Sequence, residues 1–304
     1  MVWVAVLCAL TSSAFLALGT QRQSSAVQAD SGGLGVSSRG MARLLVNPRW
    51  LLGMGLMILG MCLNVVALAL APLTVVQPLG AVALVMTTVI NSRDQGITIN
   101  RATWISILVC MLGSVSFVLL AVNATQESRV TVGEQWEVMG LLAIVVLFFG
   151  SIALARRHRS GGPFFYIVGT GFLFGFTAVL VRTIAVTVTH WDSQAPFLTQ
   201  VPWGPLVAVA VAGLLGQYFN QNAYASGPPE LVIAGLTVID PMVGVAVGIL
   251  VLGELAPGLH PVVGLSMGAA AVVAIVGVIA LSRHHPDVLA RNKERTKERG
   301  KTAN

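Results

Sequence analysis

An aspartate stands directly before a proline in the middle of a long apolar stretch: Asp240 and Pro241 close the octet AGLTVIDP at 234–241. A carboxylate at membrane depth costs about 2.5 to 3.5 kcal/mol on insertion scales, so it needs a task. One task is to exchange a proton for a cation or a basic solute; the rival is a protonated acid that clamps a neighbouring helix by a hydrogen bond. Pro241 also lacks a backbone donor and crowds the carbonyl of Thr237, four places earlier, which frees main-chain oxygen close to the acid. A related octet, APLTVVQP at 71–78, matches at five of eight positions without a gap and puts Gln77 before Pro78, with Thr74 four places ahead of that proline. Each threonine hydroxyl can repair part of the break, so a ligand-binding interruption and an ordinary kink both stay open.

A third polar feature is the run QYFNQNAY, 217–224, at the end of another apolar stretch. In a helix, Gln217, Asn220, Gln221 and Tyr224 share one face, so their amides and hydroxyl project together into a bundle interior. Amides offer carbonyl oxygen to hard cations and hydrogen bonds to sugars or amino acids, and they also bond helix to helix. Asn64 is a lone amide in a further apolar segment. Arg182 lies toward the end of the long segment 163–189, where it can snorkel, clamp an anion, or serve as counter-ion to Asp240; Glu254 is expected at the membrane interface. Asp240 is thus the one carboxylate expected deep in the bilayer, and it is the metal ligand if a cation binds.

The elements that hold these groups follow from composition. With 304 residues, 55% hydrophobic and 10% charged, and a mean hydropathy of +0.82, the chain has more apolar surface than one soluble core buries, so it is an all-α polytopic membrane protein. A bilayer core of about 30 Å needs about 20 helical residues. That ruler predicts nine segments, at 2–20, 50–70, 72–91, 102–122, 137–155, 163–189, 203–225, 230–253 and 259–282. The first lacks the basic n-region of a signal peptide and is read as a span. The stretch 21–49, rich in Ser, Gly, Gln and Arg, is expected to be a flexible or surface-lying linker. Glycine pairs four apart, Gly171 with Gly175 and Gly244 with Gly248, predict close helix contact. Cys8, Cys62 and Cys110 lie in apolar segments without metal-ligand spacing.

Charge order gives a direction. With the N-terminus outside, the inner stretches hold 16 of the 18 Lys and Arg, seven of them in the tail 283–304, while the outer loops hold Arg129 alone. Segments three and eight then cross in opposite directions, so the paired octets form an inverted repeat of the kind on which alternating-access scaffolds are built. The divisions expected are 1–125 (first repeat, four helices), 135–282 (second repeat, five helices) and the basic cytoplasmic tail 283–304. The basic tail marks the cytoplasmic face and is no nucleic-acid signature. No phosphate loop, and no nucleophile with its base and oxyanion donors, converges by spacing, so the chain does not read as an enzyme and no cofactor is expected.

On these residues the chain resembles the drug/metabolite transporter superfamily of EamA-type repeats. The ending VLGELAPGLHPVVGLSMGAAAVVAIVGVIAL, 251–281, is similar to its Gly-Glu, short loop and glycine-marked last helix. Within it the nearest likeness is the NIPA magnesium-transporter family, through the first span with its basic linker and the block Gly60, Asn64, Ala71-Pro72, Thr74, Pro78-Leu79-Gly80 and Gly113-Ser114. The family pattern has an acid after the glycine matching Gly60, where this chain has Met61 and Cys62, and the first repeat shows Asn91-Ser92-Arg93-Asp94 in place of Gly-Glu. The resemblance implies a secondary transporter of the cell (inner) membrane that moves magnesium, another cation or a small polar metabolite. Asp240 would be its acid, Gln77, Gln217, Asn220, Gln221 and Tyr224 its polar path, and Pro78 and Pro241 its helix breaks. A non-transporting scaffold or accessory subunit handling a lipid-linked substrate is the alternative. Lipid is the expected surrounding partner, and a homodimer is compatible with the sequence.

Overall fold

The computed structural model describes residues 2–31, 35–71, 76, 79, 82–96, 98–126, 130–155, 162–189 and 201–286. Its helices are α1 (Val2–Ser31), α2 (Ser38–Leu44), α3 (Pro48–Leu70), α4 (Val82–Gln95), α5 (Arg101–Ala124), α6 (Val132–Ala155), α7 (Pro163–Thr189), α8 (Trp203–Ser226), α9 (Pro229–Leu250) and α10 (Pro261–His284). Local chemistry sets several starts. Asn47 accepts from the amides of Arg49 and Trp50 before Pro48 opens α3, and Asn100 accepts from Thr103 at the head of α5. Thr131 and Glu134 form a reciprocal capping box ahead of α6, with Glu134 accepting from the Thr131 amide at 2.6 Å.

Seven of these helices are long and apolar enough to cross a membrane: α1, α3, α5, α6, α7, α9 and α10. Two of the nine expected segments make the difference. Apart from Val76 and Leu79, the first part of 72–91 lies outside the described residues, which leaves the 14 residues of α4 as a described helix there, and α8 has span length but ends in the amide-rich run.

The most extensive pairings are α1 with α3, α5 with α10, and α7 with both α8 and α9. Glycine makes the α5 and α10 contact close: a Cβ on Gly113 would strike the backbone of Ala274, and one on Gly277 would strike that of Cys110. Gly171 and Gly175 likewise bring α7 onto Ile239, Val243 and the Asp240 carbonyl of α9, as their spacing predicts. The second pair does not act that way. Gly248 meets the Glu254 side chain, and a Cβ on Gly244 would meet nothing within 4 Å.

The expected flexible linker at 21–49 is a correction. Helix α1 continues to Ser31, and Gln21, Gln23, Ser24, Ala26 and Val27 on its last turns are buried. Beyond it, Asn222 of α8 accepts from the Val36 amide at 2.8 Å, and α2 follows directly. Composition reads amides and hydroxyls as water-seeking, whereas here Gln23 pairs with Gln221 of α8 and Gln21 with Asn91 and Asp94 of α4.

Candidate functional site

Asp240 lies midway along α9, half-buried, and among the described residues no hydrogen bond or ion pair reaches its carboxylate. The helix runs unbroken through Pro241. Its freed carbonyl, that of Thr237, accepts a hydrogen bond from the Ser114 hydroxyl of α5 at 2.7 Å, while the Thr237 hydroxyl donates to the Ile233 carbonyl at 2.8 Å. The carbonyl that Pro241 frees is therefore engaged, and the break in the backbone ladder is repaired. Gln77 and Pro78 lie outside the described residues.

The run on α8 is buried at Asn220, Gln221 and Tyr224, with Gln217 half-buried. Gln221 accepts from the Trp50 indole of α3 at 3.1 Å and donates to Gln23 of α1 at 3.2 Å. Tyr224 is hydrogen-bonded to the side chains of Thr20 and Asn220. Gln28 of α1 donates to the Tyr224 carbonyl at 3.2 Å, which ties α1 to the last turn of α8. Much of the run therefore joins helices. The exception is the Asn220 side-chain oxygen, buried and without a hydrogen-bond partner. Gln217 and the half-buried Asn64 likewise have none among the described residues.

Two ionic contacts were not legible as pairs. Arg182 meets Glu254, beyond the end of α9, so it is not the counter-ion of Asp240; Glu254 is itself buried within the protein. At the opposite end of α9, Glu230 is fully buried and is held by His285 at 2.5 Å and by the Asn91 amide at 2.9 and 3.1 Å. Asn91 in turn accepts from Gln21 at 3.3 Å and from Gln95 at 2.8 Å, and Gln21 also donates to Asp94 at 3.2 Å. Glu230 is thus more fully enclosed by protein than the half-buried Asp240, with His285 and Asn91 packed against its carboxylate. A first-turn acid after Pro229 was visible as a helix-dipole feature. Its partner His285 was not, lying 55 residues away.

A cavity of about 560 Å³ opens between α6, α7, α9 and α10, lined by apolar side chains that include Phe172, Phe176, Ile239, Met242, Val243 and Ile275. It offers no ligand to an ion. Among the described residues no group of three or more His, Cys, Asp or Glu side chains is placed to hold a metal.

The family model described as magnesium transporter NIPA matches residues 2–226, a span that stops short of α9 and α10. An uncharacterized protein of Corynebacterium glutamicum is 28% identical over 288 residues, which cover 92% of this chain and 95% of that protein. The probable magnesium transporter NIPA9 of Arabidopsis thaliana is 25% identical over 274 residues, 84% of this chain and 76% of that protein. The mouse magnesium transporter NIPA4 is 29% identical over 161 residues, 50% of this chain and 39% of its own length. No solved structure matches.

Proposed function

This chain belongs to the magnesium transporter NIPA family, and from that premise we propose a secondary transporter of the cell (inner) membrane that moves a cation, magnesium before others, by alternating access. The observation that carries this reading is Asp240, a half-buried acid at the middle of a membrane-crossing helix with no partner among the described residues. An ionisable group left in that position is a binding or coupling site by default. Magnesium dehydrates reluctantly and is held through one or two carboxylates with part of its water shell, which suits a lone acid better than a multi-ligand cage. Asn220, Gln217 and Asn64 supply oxygen toward the same path, with Gln77 assigned to it from its place in the repeat.

The scaffold of that path is two inverted repeats of nine helices, four and five. The packing supports it: α1 meets α3 and α4 in the first half as α7 meets α8 and α9 in the second. Where α5 and α10 cross, Gly113 faces Ala274 and Cys110 faces Gly277, an exchange expected of two helices related by a pseudo-twofold axis. The N-terminus is outside and the tail cytoplasmic.

The test is flux into proteoliposomes loaded with a magnesium indicator. Asp240→Asn, which keeps volume and hydrogen-bonding capacity, is expected to lower the rate below about a tenth of the parent, a scale set by a site that loses its charge. Full-rate transport by that variant with unchanged pH dependence removes the role of the acid. Competition by a neutral polar solute would favour the metabolite reading, and absence of flux for every solute, with a partner protein co-purifying, would favour the scaffold.

A further inference from the structure

Helix α9 is fastened at both ends by acids to which the proposed path assigns no binding role. At one end Glu230 joins α9 to α10 through His285 and to α4 through Asn91, and Gln21 extends the tie to α1. At the other, Glu254 joins the end of α9 to Arg182 of α7. The backbone beside it adds two bonds to the end of α5: the Gln126 amide donates to the Glu254 carbonyl at 2.8 Å, and the Ala256 amide donates to the carbonyl of Ala124 at 3.0 Å. Asp240 lies between the two ties.

We propose that Glu230, His285 and Asn91 form an inner latch that closes the cytoplasmic end of the path by binding α9 to α4 and α10, and that Arg182 and Glu254 form its outer counterpart. This rests on the transporter reading for its sidedness. A buried polar contact contributes little net stability, since desolvation offsets its attraction, but removing one partner leaves the other unsatisfied, so such a contact suits a two-state element. Both ties are formed, and they differ in how far protein encloses them. Both side chains of the inner pair are enclosed, at 1% and 0% exposure, whereas Arg182 is 37% exposed. Alternating access requires the inner half of α9 to part from α4 and α10, and the bonds that must break first are those to Glu230.

A native reporter sits under this latch. Cys110 of α5 is fully buried against α9, its thiol donating to the Ala234 carbonyl at 3.8 Å, one turn beyond Glu230. In a Cys8→Ser, Cys62→Ser background it is the only thiol of the three in the chain. The experiment is labelling of the full-length protein by a membrane-impermeant maleimide, applied to cytoplasm-side-out and to right-side-out vesicles. Glu230→Gln and His285→Gln should each raise the cytoplasmic-side labelling rate of Cys110 roughly tenfold, the scale on which a minor state becomes a populated one, with outer-side labelling unchanged. Arg182→Gln should leave the cytoplasmic-side rate at the parent level. Unchanged labelling in both latch variants overturns the proposal, as does an equal rise from both sides, which reports loosening of the whole bundle. If Glu230→Gln does not accumulate, His285→Gln carries the test. Labelling needs no transported solute, so the two readings fail separately. A sided rise without parent flux defeats the transport reading, and parent magnesium flux with unchanged labelling defeats the latch.

Discussion

Ser114 decides what the proline in α9 amounts to. Pro241 frees the carbonyl of Thr237, and the serine hydroxyl of α5 takes it up at 2.7 Å. Ser114→Ala leaves that oxygen without its partner in an apolar surrounding, at a cost of about 1 to 3 kcal/mol. The expected result is a lower unfolding temperature in detergent, with Ser282→Ala, whose hydroxyl bonds only its own helix, as the near-neutral control. The threonine half of this repair was legible in the sequence, since a hydroxyl four places before a proline reaches the preceding turn. The serine half was not, because donor and acceptor are 123 residues apart. Arg182 and Glu230 repeat the lesson. An isolated charge announces that it needs a partner, and nothing in its neighbours says which.

Between helices, the contact of α5 with α10 depends on residue size, because glycine there lets backbone meet backbone. Gly113→Val would drive a branched side chain into the backbone of Ala274, and the helices must separate to admit it. Overpacking of this kind costs about 1 to 3 kcal/mol or more. A marked loss of folded protein on size-exclusion chromatography is expected. Gly55→Ala, where a Cβ meets nothing within 4 Å, should instead hold or raise stability, by up to about 1 kcal/mol from helix propensity. Sequence spacing located Gly171 and Gly175 as a packing pair and misplaced Gly244 and Gly248, because four-residue spacing fixes a common face and not what lies opposite it. The stretch after residue 20 failed for a related reason. Gln21, Ser24 and Gln28 share a helix face just as the α8 amides do, and the same periodicity argument, applied there, points to helix rather than linker.

For the molecule as a whole, orientation is the property that charge order predicts most directly. A cleavable tag placed after Asn304 should be protected in intact cells and cut in inverted vesicles, while Thr131→Cys, at the head of α6, should label from outside; the reverse pattern would exchange the inner and outer latches. Helical class, membrane residence and the position of Asp240 within an apolar span were legible in the chain alone. Each is a sum or an order of solvent preferences, and every residue contributes its share whatever its neighbours in space. Tertiary structure alone decided which polar groups are spent on one another: the α8 amides on α1 and α3, Arg182 on Glu254, and Glu230 on His285 and Asn91. Hydrogen bonds and ion pairs require atoms within about 3 Å, and helices far apart in sequence reach that distance only when the bundle has closed.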